Sequence, residues 1–142
     1  MTAPDQAADP SGPAIDWDRL RSVANEAASR AYAPYSNFRV GAAGLVDDGR
    51  IVSGCNVENL SYGLTLCAEC GLVSDLARTG GGRLIAVAIV SGSGLPCTPC
   101  GRCRQLLQEH GGPDCLVEGG TEIRTVAELL PDSFEHDRLA RG

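Results

Sequence analysis

Apolar positions recur along the chain with two different periods. Trp17, Leu20, Val23, Ala24 and Ala27 follow Asp16 at helical spacing, which predicts a helix through about Ala31 with Asp16 as its N-cap. Val40 to Val46 and Ile51 to Val57 flank Asp47-Asp48-Gly49-Arg50. They predict a β-hairpin, because Asp-Gly tolerates the positive φ of a tight turn. A second helix is expected from near Cys67 to about Thr79, stopped by Gly80-Gly81-Gly82. Arg83 to Val90 is an uninterrupted apolar run, the pattern of a central strand buried on both faces. Pro99 suits a first-turn position, so a third helix is expected from Cys100 to about His110, ending at Gly111-Gly112. Two short strands, Asp114 to Val117 and Glu122 to Arg124, precede a last helix capped by Thr125 and running to Leu130. Strands alternating with helices predict an α/β protein: a three-layer α/β/α sandwich around a mixed, roughly five-stranded sheet.

Composition narrows the reading. The chain has 142 residues, 43% of them hydrophobic, and a net charge of −6 at pH 7, which suits one acidic domain with a single core. That domain is expected over residues 15–134, between an aperiodic tail at 1–14, rich in Pro, Ala, Asp and Gly, and a short tail at 135–142. No basic run offers a footprint for a nucleic acid polymer. No long apolar run offers a membrane span, and the N-terminus lacks the pattern of a signal peptide, so a cytoplasmic location is expected.

The chemistry lies in the cysteines. There are seven, an odd number with two-residue spacings, which favours metal ligation over a disulfide framework. Cys67-Ala68-Glu69 and Pro99-Cys100-Gly101-Arg102-Cys103-Arg104-Gln105 each open an expected helix. At a helix start the unpaired N–H groups and the dipole favour thiolate. Cys67, Cys100 and Cys103 would give a tetrahedral Zn²⁺ three sulfurs and leave one position open, as in a catalytic site. Three thiolates and Zn²⁺ sum to −1, so a cation is needed nearby. Arg104 is the expected second-shell donor to the ligand sulfurs, with Arg102 read as a solvated helix residue. Two other ligand sets stay open here: a closed structural site of Cys67, Cys70, Cys100 and Cys103, and a site in which Cys97 replaces Cys103. Cys55 and Cys115, within apolar runs, read as small buried hydrophobes.

Four segments in order carry a resemblance: Tyr35-Ser36-Asn37-Phe38-Arg39-Val40-Gly41-Ala42-Ala43, Asn56-Val57-Glu58-Asn59, the two cysteine segments, and Leu129-Leu130-Pro131-Asp132-Ser133-Phe134. The chain resembles the cytidine deaminases of the small homotetrameric class with a three-cysteine zinc site, from about Tyr35 to Phe134; the zinc deaminase signature is a known one. The resemblance implies one Zn²⁺ per chain on Cys67, Cys100 and Cys103, and Glu69 as general acid and base. The implied reaction is hydroxide attack on C4, converting cytidine and 2′-deoxycytidine to uridine and 2′-deoxyuridine with loss of ammonia, in pyrimidine salvage. It also implies Asn56 and Glu58 on the ribose 3′-hydroxyl, Phe38 against the pyrimidine and the Ala68 N–H on its O2. Tyr62 and Phe134 would reach a neighbouring subunit's site in a homotetramer, although either could be local packing. The free pyrimidine nucleoside is the expected partner. In one place the chain departs from the family's usual pattern, with Cys70 where an arginine commonly follows Cys-Ala-Glu. The rival readings are a deaminase of a nucleoside antibiotic of the blasticidin S type and the four-cysteine structural module.

Overall fold

A computed structural model of the chain describes residues 12–135; most of the two expected tails, at 1–14 and 135–142, lies outside those residues. In chain order the elements are α1 (Trp17–Ser29), β1 (Val40–Val46), β2 (Ile51–Cys55), a 3₁₀ turn (Tyr62–Leu64), α2 (Ala68–Arg78), β3 (Leu84–Ser91), α3 (Gly101–Gly111), β4 (Leu116–Glu118), β5 (Ile123–Thr125) and the one-turn α4 (Val126–Leu129). The strands form one mixed sheet in the order β2-β1-β3-β4-β5. Only β3 and β4 pair in parallel, and α3 supplies the crossover that such a pair requires.

Two apolar layers sandwich the sheet. Leu20, Ala24 and Ala28 of α1 pack on Ala43, Leu45, Ala86, Ala88 and Val90. On the opposite face, Leu72 and Leu76 of α2 and Leu107 of α3 pack on Ala42, Val46, Val52, Val87, Ile89 and Val117. The expected three layers are thus present, and β1 and β3, two of the three inner strands, are buried almost throughout. Small residues set the layer spacing. A Cβ on Gly41 would lie 1.9 Å from the Ala24 carbonyl oxygen, and one on Gly54 would lie 2.3 Å from the Leu72 nitrogen and 2.4 Å from the Ala68 oxygen. Backbone therefore touches backbone where β2 meets the first turn of α2.

The caps follow the expected chemistry. Asp16 accepts the Arg19 N–H, and Thr125 forms a reciprocal capping box with Glu128. Gly49, at φ 95°, closes the hairpin, and Gly80, Gly81 and Gly82 all take positive φ after α2. Arg21 ties α1 to the sheet through a two-point ion pair with the buried Glu118 carboxylate, at 2.5 and 2.7 Å.

Strand β2 stops at Cys55, two residues short of the expected Val57. Asn56 folds its side chain back onto the chain entering β1: Oδ1 accepts from the Val40 N–H at 2.8 Å and Nδ2 donates to the Phe38 carbonyl at 2.8 Å. Val57 then makes only isolated bridges, to Tyr32 and Leu66.

Candidate active site

Cys67 and Cys100 are the N-cap residues of α2 and α3, with extended backbones (ψ 159° and 167°) and no side-chain capping bond. A helix start normally draws the cap side chain onto its own free N–H groups. Here both sulfurs are left for each other's neighbourhood, and they lie 3.8 Å apart. Cys103, one turn into α3, is fully buried and brings its sulfur to the same point; the three sulfurs fall within 4.8 Å of one another.

That cluster fits zinc. Zn–S bonds of about 2.3 Å at the tetrahedral angle place sulfurs about 3.8 Å apart, the separation between Cys67 and Cys100. A disulfide would need about 2.05 Å, and all seven cysteines are free thiols. Burial pushes the Cys103 thiol well up, helped by the Glu69 carboxylate beside it. Burial also raises Cys67, whereas around Cys100 the nearness of the free N–H groups at the start of α3 and of the neighbouring thiols outweighs burial and lowers that thiol. Gathering three thiolates therefore calls for a cation at their centre.

Cys70 and Cys97 are not members of the cluster: among the described residues, the group of possible metal donors consists of Cys67, Cys100 and Cys103. This removes the closed four-cysteine site, since Cys70 accepts an N–H from Arg102 at 3.5 Å instead. Three donors leave a tetrahedral ion one open position. Cys115 is buried as expected, its thiol pushed up to about 12 by desolvation, whereas Cys55 is half-buried.

Glu69 is 3% exposed, in the first turn of α2. Burial raises its carboxyl above the ordinary range, opposed by its own N–H, the Cys103 thiol and Arg102. A carboxyl lifted in this way is closer to exchanging protons at neutral pH than an exposed one.

One assignment needs correction. Arg104 does not serve the sulfurs: its Nε donates to the Pro99 carbonyl at 3.0 Å and its Nη1 to the Leu129 carbonyl at 2.8 Å, clamping the approach to α3 onto α4. Arg102 is the guanidinium at the cluster, with Nη2 donating to Cys67 Sγ at 3.8 Å, Cys70 Sγ at 3.5 Å and the Thr65 carbonyl at 3.2 Å. At about 100° per residue, two positions along a helix turn a side chain by roughly 200°. If Arg102 faces the start of α2, Arg104 must face away.

The remaining expected residues lie around β1, at the start of α2, on the 3₁₀ turn and after α4. Glu58 Oε1 accepts the Tyr35 and Ser36 N–H groups at 3.0 and 3.2 Å, so Asn56 and Glu58 both address the segment from Tyr35 to Val40. Phe38, in that segment, is 53% exposed. Ala68 is the first residue of α2, where N–H groups have no partner within the helix. Tyr62 stacks edge-on against Tyr35, with ring centroids 5.9 Å apart, yet remains 74% exposed. Phe134 is 59% exposed, and its carbonyl accepts from Gln105 of α3 at 3.0 Å.

Residues 16–118 match the cytidine and deoxycytidylate deaminase zinc-binding region. The chain is 59% identical over 129 residues to a cytidine deaminase of Mycobacterium tuberculosis, covering 91% of this chain and 97% of that one. It is 41% identical over 125 residues to a cytidine deaminase of Halalkalibacterium halodurans, covering 84% and 95%. Among solved structures, the crystal structure of cytidine deaminase from Mycobacterium tuberculosis superposes with a TM-score of 0.84 at 59% identity, over 86% of this chain and 99% of that chain. The structure of cytidine deaminase from Burkholderia pseudomallei gives 0.75 at 41%, over 84% and 100%.

Proposed function

This chain belongs to the cytidine deaminase family, and we propose that it hydrolyses free cytidine and 2′-deoxycytidine to uridine and 2′-deoxyuridine with release of ammonia. The observation that carries the reading is the convergence of three thiols on one point beside the buried Glu69 carboxyl. The matched region is a zinc-binding one and the donor set fits one Zn²⁺ per chain, on Cys67, Cys100 and Cys103. When bound, zinc supplies a water whose pKa can fall to about 7, the nucleophile this hydrolysis requires.

Glu69 moves the protons. Its carboxylate takes one from water as the oxygen adds to C4 of cytosine and delivers that proton to N3. It takes the second from the new hydroxyl and passes it to the exocyclic nitrogen, so that the C4–N bond breaks, ammonia leaves and a carbonyl remains. Burial suits Glu69 to this traffic because its charged form gains little from solvent.

The nucleoside is held by the segment around β1. Asn56 spends one amide hydrogen and one oxygen lone pair on Phe38 and Val40, leaving one of each for the ribose 3′-hydroxyl. The Glu58 carboxylate accepts from that hydroxyl, the Phe38 ring covers the pyrimidine, and the Ala68 N–H meets O2. Arg104 supports the site only through Pro99 and Leu129.

A homotetramer is the assembly proposed, with Tyr62 and Phe134 completing a neighbouring subunit's site. Leu60, Tyr62, Leu64 and Leu66 are 78, 74, 64 and 50% exposed, an apolar stretch suited to burial against another copy. A net charge of −6 at pH 7 and the Glu58 carboxylate disfavour phosphate-bearing substrates, whether nucleotide or nucleic acid polymer. No helix among the described residues is long and apolar enough to cross a membrane; a cytoplasmic role in pyrimidine salvage is proposed. Relatives named for cytidine weigh against the nucleoside-antibiotic reading.

Turnover followed by ultraviolet absorbance should show both cytidine and 2′-deoxycytidine consumed and 2′-deoxycytidine 5′-phosphate left intact. Preferential turnover of the phosphate would contradict the nucleoside assignment.

A further inference from the structure

We propose that Arg102 is the positioning residue for the Cys67 donor, supplying from α3 the positive charge that balances the thiolate cluster, with Cys70 as the second acceptor that holds the guanidinium in place. The inference rests on reading Cys67, Cys100 and Cys103 as a zinc site. Three contacts of one nitrogen carry it: Arg102 Nη2 lies 3.8 Å from Cys67 Sγ, 3.5 Å from Cys70 Sγ and 3.2 Å from the Thr65 carbonyl oxygen.

The two sulfurs differ in duty. Cys67 belongs to the metal-binding group and Cys70 does not, although Cys70 is one helical turn on and its N–H bonds the Cys67 carbonyl at 3.0 Å. A thiol there cannot offset charge, but it is small enough to admit a guanidinium from α3 and soft enough to accept one of its N–H groups. Arg102 thus links the segment before α2 to the first turn of α3, the two places from which the ligands come. With three thiolates and Zn²⁺ at −1, one guanidinium brings the local sum to zero. An N–H donated to the Cys67 sulfur also draws electron density from it, which leaves the metal a stronger Lewis acid.

The test uses the purified holoenzyme and its Arg102→Ala and Arg102→Lys variants, with two readouts besides turnover. Zinc transfer to a chromophoric chelator should be roughly ten- to a hundred-fold faster from Arg102→Ala, the range for losing a partner of a metal ligand, and Arg102→Lys should recover part of that loss. In the cobalt-substituted protein, the thiolate-to-metal charge-transfer band should move to longer wavelength in Arg102→Ala, because a sulfur without its donor is more easily oxidised. A merely structural role would not move that band. A wild-type release rate from Arg102→Ala, or a band that stays in place, overturns the proposal. A wild-type protein that binds no zinc would instead overturn the underlying zinc reading, so the two failures are distinguishable.

Discussion

Cys67 and Cys100 occupy equivalent places on two helices, each the residue before the first turn, with their sulfurs 3.8 Å apart. Neither sulfur caps its own helix, and Cys103 completes the triangle from inside α3. The arrangement predicts a sharp division among the cysteines. Cys100→Ser should lose zinc from the purified protein, whereas Cys97→Ser should retain about one ion per chain, as a single catalytic site requires. Equal zinc content in the two variants would contradict the ligand set.

Asn56 and Glu58 should separate stability from binding. Asn56→Ala leaves the Val40 N–H and the Phe38 carbonyl without their partners, so it should lower the unfolding free energy by about 2 kcal/mol as well as weaken substrate. Glu58→Gln keeps the shape but removes a charged acceptor, and should raise KM for cytidine about ten-fold. Denaturant unfolding beside steady-state kinetics distinguishes them; an Asn56→Ala variant as stable as wild type would contradict the structural half of its role.

The same carboxylate carries a pH prediction. Hydrogen bonding by Ser36, through its side chain and N–H, and by the Tyr35 N–H holds Glu58 below the usual carboxylate range. A depressed folded pKa means that its contribution to stability is fully present above the unfolded value of about 4.3 and is lost as pH falls through the folded one. The melting-temperature gap between wild type and Glu58→Gln should therefore hold from neutral pH to about pH 5 and close on further acidification. A gap that closes already near neutrality would contradict it.

Gly54 fixes the seat of Glu69. A Cβ there would meet the backbone of Ala68 and Leu72 at 2.4 and 2.3 Å, and no side-chain rotation relieves a clash with backbone. Gly54→Ala should cost about 2 to 3 kcal/mol of stability and slow turnover by shifting α2 relative to β2. Wild-type unfolding and turnover would show that the two elements part without consequence.

Much of this was legible in the sequence, because apolar periodicity, glycine stops and caps are local signals. All five strands overlap the expected segments, with β3, β4 and β5 each running one residue further, and Asp16 and Thr125 are the caps expected. Two features depend on neighbours that local pattern cannot supply. The early end of β2 comes from the Asn56 side chain turning back to a segment sixteen to eighteen residues away. The exchange of Arg104 for Arg102 at the sulfurs depends on how α3 is rotated about its axis relative to α2. Spacing along one helix relates its own residues but does not say which of them faces a second helix.

The central claim is an open zinc site served by the Glu69 carboxyl. Its most direct test is ultraviolet-monitored turnover of cytidine by the wild-type protein and by Glu69→Gln, with zinc per chain determined on both. The expected result is deamination by the wild type, loss of activity by a factor of at least about 10² in the variant, and about one zinc retained in each. A zinc-loaded wild-type protein inert on cytidine and 2′-deoxycytidine, or a Glu69→Gln variant as active as wild type, would contradict it.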